Sequence, residues 1–119
     1  MSLLLACLLY LASPVDEVTW LTPLSYDFGD MVQNEGRSTE FVWQNTTPDT
    51  LLIDNVRTTC GCTAPTWTYD PIPPGARDTI QVGYDAKRPG YFKKTVKVFF
   101  SNRRTAHRLI VEGFVEEQE

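Results

Sequence analysis

The sequence predicts an all-β chain folded as an antiparallel β-sandwich of about seven strands. Two observations predict it. Short segments alternate apolar and polar residues with a period of two, and clusters of Pro, Gly, Asn and Asp separate them. Beyond Pro14 the apolar residues form no long stripe of helical period.

The first short strand lies around Ser25 to Phe28, and Phe28-Gly29-Asp30 turns the chain. From Thr39 to Asn45, Phe41 and Trp43 share one face while Glu40 and Gln44 share the other. The turn Asn45-Thr46-Thr47-Pro48-Asp49 leads into a strand from about Thr50 to Val56, with Leu51 and Ile53 on one face. In Pro71-Ile72-Pro73-Pro74-Gly75 the Pro-Gly pair suits the centre of a type II turn, where glycine supplies the positive φ. Ile80, Val82 and Tyr84 then share a face, followed after Arg88-Pro89-Gly90 by Val96, Val98 and Phe100. A polar hairpin loop from Ser101 to Thr105 precedes a last strand carrying Leu109, Val111 and Val115. Strands joined by short turns pair antiparallel and must bury one face of each sheet against a second sheet, which gives an immunoglobulin-like sandwich. Cys60 and Cys62 are too close in sequence to staple two sheets, so the antibody pattern is absent.

The 119 residues leave room for one core, and 42% hydrophobic residues suffice to fold it. A net charge of -4 argues against nucleic acid as partner. The charge is unevenly spread: from Lys87 to Arg108 there are eight Lys or Arg residues and no Asp or Glu. This basic hairpin reads first as a solvated outer face and second as a contact surface, with Lys93, Lys97, Arg103 and Arg104 as the candidate binding residues.

Residues 1–14 read as an incomplete secretory or lipoprotein signal, 15–24 as a linker and 25–119 as the sandwich domain. The apolar run from Leu3 to Ala12 is far shorter than the roughly 20 residues of a membrane span. Leu4-Leu5-Ala6-Cys7 has the form of a lipoprotein processing site, making Cys7 the candidate for lipid modification and membrane anchoring. The expected location is the periplasm or cell envelope.

The pattern from Tyr26 to Val115 resembles a bacterial family of exported proteins catalogued as domain of unknown function fifteen-seventy-three. The residues that carry the likeness include Phe28-Gly29, Phe41, Asn45, Cys60-Gly61-Cys62-Thr63 with Pro65, Pro74-Gly75, Gly90 with Phe92, and Leu109 with Gly113. Cys-Gly-Cys-Thr followed by Pro-Gly is the specific part. The family is similar in fold to major sperm protein and hydin-type modules, which act as binding or scaffolding domains. The resemblance implies export and a sandwich, and implies no known reaction.

Cys60 and Cys62 form the cluster with chemical potential, and three readings stay open. They serve as small apolar groups or a local disulfide, as an exchangeable redox pair, or as two soft ligands for zinc or Cu(I). Export favours a disulfide or a bound metal. His107, the single histidine, sits at the start of the last strand on the parity of Leu109 and reads as a partly buried residue rather than a ligand. No nucleophile-base pair, phosphate loop or His-Glu-x-x-His motif appears, and no cofactor is indicated. Asp27, Asp30, Asp70 and Asp85 sit beside turns, where Asp bonds nearby backbone. Trp43 reads as core, and Trp67, after the cysteines, as the exposed aromatic candidate for binding. The expectation is a non-enzymatic binding or structural module whose partner is a protein or an envelope component, with thiol redox or copper handling as the alternative.

Overall fold

The computed structural model describes residues 17–119. The reading of residues 1–14 as a signal and of Cys7 as a lipidation site falls outside them. The strands are β1 (Thr19–Trp20), β2 (Ser25–Val32), β3 (Arg37–Gln44), β4 (Ile53–Thr58), β5 (Thr63–Thr66), β6 (Arg77–Tyr84), β7 (Gly90–Phe100) and β8 (His107–Glu116). They form two four-stranded sheets, β1-β3-β6-β5 and β2-β8-β7-β4. Every ladder is antiparallel except β2 with β8, which is parallel and departs from the all-antiparallel expectation.

The period-two faces meet between the sheets. Phe41 and Trp43 of β3, Ile80 and Val82 of β6, Val96, Val98 and Phe100 of β7, and Leu109 and Val111 of β8 are all buried. Trp43 and Phe100 join the sheets edge to face at 4.8 Å. At the opposite end of the core Tyr84 stacks on Phe92 at 3.6 Å. Gly113 is needed here for its missing side chain, since a Cβ would come within 3.0 Å of both the Gly29 carbonyl and the Phe92 ring. The Pro74-Gly75 turn forms as the sequence predicts: Gly75 has φ 85° and the Ala76 N–H donates to the Pro73 carbonyl.

Two stretches depart from the sequence reading. Residues 15–24, expected as a linker, contain β1, whose Trp20 packs against the core and whose indole N–H donates to His107 Nδ1 at 3.0 Å. The chain after the cysteines, where the sequence pattern marks no strand, contains β5. Its Pro65 lacks a donor, and an edge strand tolerates that because its outer edge has no ladder partner. Asn45, expected as a turn residue, is fully buried: its Nδ2 donates to the carbonyls of Asp49 and Ile72, and its Oδ1 accepts from the Thr47 N–H and hydroxyl. It ties two loop segments together at one end of the sandwich.

Candidate functional site

The chain crosses from one sheet to the other at Cys60-Gly61-Cys62, between β4 and β5. The two cysteines are joined by a disulfide, with their Cα atoms 5.2 Å apart. The turn is held from within and without. The Cys60 N–H donates to Thr58 Oγ1 and the Cys62 N–H to Cys60 Sγ, each at 3.3 Å. The Thr63 N–H donates to the Cys60 carbonyl, and the Asp85 N–H to the Cys62 carbonyl. Both cysteines are half-buried, Gly61 is exposed, and Cys62 packs on the core. No group of three or more His, Cys, Asp or Glu side chains able to hold a metal ion occurs among the described residues. His107 is taken up by Trp20, and burial pushes its pKa down, opposed by Glu17 and aided by Arg103.

Beside the turn, the outer face of the first sheet carries a shallow groove of about 450 Å³ lined by residues that include Arg37, Ser38, Cys62, Ala64 and Gly83. Its floor follows from register: Ser38 pairs with Gly83, and Gly83 with Ala64, so three small residues lie in one row across β3, β6 and β5.

The outer face of the second sheet is built differently. Its rows run Asp30, Phe114, Tyr91; then Asp27, Glu112, Lys93; then Ser25, Ile110, Thr95; then Arg108, Lys97, Arg57. Apart from the exposed Asp54 of β4, carboxylates therefore gather toward β2 and cations toward β4, with Ile110 and Thr95 between them. Phe99 continues the basic end, and the Arg57 guanidinium lies over its ring at 5.4 Å. Arg57, Thr95, Lys97 and Phe99 line a second hollow of about 320 Å³. Tyr91, 64% exposed, donates its hydroxyl to Glu112 at 2.7 Å, and that carboxylate holds the phenol pKa above its ordinary value.

Lys93 and Lys97 lie on this face, as the sequence predicts. Arg103 and Arg104 lie in the β7–β8 hairpin loop, where Arg103 pairs with Glu17. Trp67 does not join them. It follows β5, packs half-buried against the core and meets Tyr69 at 5.5 Å, while Tyr69 takes the exposed position. Tyr91, Phe99, Ile110 and Phe114 were absent from the sequence-derived surface. Their signal was present as the outward parity of strands whose inward residues are unambiguous. Asp27 and Asp85 serve the local role expected of them, accepting the N–H groups of Gly29 and Lys87.

Two four-stranded sheets with strands switching between them give the chain an immunoglobulin-like β-sandwich fold. It is similar to the PapD-like domain 7 of human CEP192, with a TM-score of 0.74 at 10% identity over 90% of each chain. It is also similar to a protein of unknown function from Porphyromonas gingivalis W83, with a TM-score of 0.68 at 14% identity, covering 88% of this chain and 50% of that one. A major sperm protein family member of C. elegans, WR4, gives a TM-score of 0.50 at 10% identity over 84% and 96%. No curated protein matches the sequence. Residues 20–115 match the family described as protein of unknown function DUF1573, and the chain belongs to that family.

Proposed function

We propose that this chain is an exported, non-enzymatic module of the cell envelope that binds a protein partner through the outer face of β2-β8-β7-β4. One observation carries the reading: that face sorts most of its carboxylates from its cations on either side of Ile110 and presents Phe114 at 47% and Tyr91 at 64% exposure. Exposed aromatic and Arg side chains with charges at the rim are what protein interfaces use for anchoring and steering. Export is supported by the Cys60–Cys62 disulfide, a bond kept in oxidising compartments, and by the resemblance to exported proteins.

Fractionation and site-specific photo-crosslinking of the native, full-length product in its host test this together. The product is expected in the envelope fraction, with discrete protein adducts from a crosslinking residue at Phe99 and none from one at Arg77, at the end of the other sheet away from the disulfide. Cytosolic product, or equal adducts from both positions, would contradict the reading.

A further inference from the structure

The disulfide stands where the chain crosses between the sheets, beside the groove of the first sheet, and has a chemistry of its own. We propose that Cys60–Cys62 is an exchangeable disulfide that takes an electron pair from the dithiol of another protein, which reaches Cys62 along the groove on the first sheet. The two sulfurs are not equivalent. Cys62 lines the groove and its Sγ meets the Thr63 hydroxyl at the longer distance of 3.8 Å, whereas Cys60 Sγ accepts the Cys62 N–H at 3.3 Å. A sulfur that receives a backbone N–H is the better leaving thiolate, because the hydrogen bond stabilises its charged form.

The path to Cys62 is open for the same reason that the groove exists. Its floor of Ser38, Gly83 and Ala64 raises nothing longer than a hydroxymethyl group beside the sulfur. The two charged residues of the lining are held elsewhere: the Arg37 guanidinium donates to the Phe28 carbonyl at 2.9 Å and lies over the Phe28 ring, and the Asp85 carboxylate is turned to the Lys87 N–H. Bonds from Thr63 N–H to the Cys60 carbonyl and from Asp85 N–H to the Cys62 carbonyl hold the turn through backbone, so they do not depend on the sulfur bridge. A small ring in a half-buried turn is also the labile type of disulfide, in contrast to bridges that close long loops in a core.

The exchange balances without a further reagent. A partner thiolate attacks Cys62 Sγ and forms a mixed disulfide; the Cys60–Cys62 bond breaks, and its electron pair leaves on Cys60 as thiolate. The partner's second thiolate then attacks its own sulfur of the mixed disulfide and releases Cys62 as thiolate. The partner dithiol ends as a disulfide, having lost two electrons and two protons, and this chain ends with two thiols.

The test uses the full oxidised chain. Equilibrated with reduced and oxidised glutathione and then alkylated, the pair should be half-reduced at a ratio that leaves a long-loop structural disulfide oxidised. Reduction by a synthetic extended peptide carrying two cysteines should slow about tenfold in Gly83→Val, with the glutathione equilibrium unchanged, because the new side chain blocks the path rather than the bond. A Cβ at Gly83 meets its nearest atom at 3.7 Å, an ordinary contact, so the sheet accommodates it. Ala64→Val supplies the same obstruction from β5. A pair that stays oxidised throughout would overturn the proposal, as would peptide rates unaffected by both substitutions.

Discussion

The two outer faces of the sandwich share one core and have opposite chemistries. Across β3, β6 and β5 the face is low and nearly uncharged, with Ser38, Gly83 and Ala64 in one row and Glu40, Gln81 and Thr66 in the next. Across β2, β8, β7 and β4 it stands high in long charged and aromatic side chains from Asp30 to Arg57. The inward parity of both is mainly aliphatic and aromatic. Folding therefore fixes only every second residue, and the alternate positions are free to become a groove beside a disulfide on one side and a charged contact face on the other.

The strongest way to break this comparison is to remove what the faces share. Trp43→Ala should destabilise the domain by about 3–5 kcal/mol, since it empties the junction with Phe100 at which the sheets meet. Denaturant unfolding should show both faces lost in one transition. Separate transitions would mean that the sheets are not one cooperative unit.

A smaller and more local effect is expected from Cys60→Ser combined with Cys62→Ser. Closing so short a loop constrains little of the unfolded chain, so the loss should be about 2 kcal/mol by chemical denaturation. A much larger loss would make the disulfide a main support of the fold.

Trp20 of the first sheet and His107 of the second sharpen the comparison from the side, because their hydrogen bond ties β1 to β8. His107 accepts that bond at Nδ1 and its pKa lies below the ordinary 6.5, chiefly through burial. The unfolded chain thus takes up the proton first as pH falls. The contribution of His107 is fully present above about pH 6.5 and is lost progressively as pH falls from there toward the lower folded-state pKa. Thermal unfolding at neutral and mildly acidic pH should show a fall of about 1 kcal/mol, the scale of one hydrogen bond, absent in His107→Gln. The least effect is expected on the charged face itself: Lys93→Gln with Lys97→Gln should change stability by no more than about 0.5 kcal/mol, because both side chains lie on the outward parity of β7. A loss of several kcal/mol would show them to be part of the fold's support.

The sandwich was legible because a half-buried strand writes its inner face as a strict alternation, and Phe41, Trp43, Ile80, Val82, Val96, Val98 and Phe100 all obey it. β1 and β5 were hidden because two residues, or four with a proline among them, are too few to show a period. Asn45 looked like a turn residue and is one, but its burial depends on the Ile72 carbonyl, 27 positions away. The basic half of the contact face was visible as a run of Lys and Arg. Its acidic half was not, since Asp27, Asp30 and Glu112 belong to strands far apart in sequence that only the parallel β2–β8 ladder places side by side.

The contrast between the faces is tested most directly by combining substitutions with photo-crosslinking from Phe99 in the envelope. Arg57→Glu with Lys97→Glu reverses the basic end and should abolish the adducts, whereas Cys60→Ser with Cys62→Ser should leave them intact. Adducts that survive the charge reversal but vanish with the cysteines would place partner binding on the other face and contradict this account.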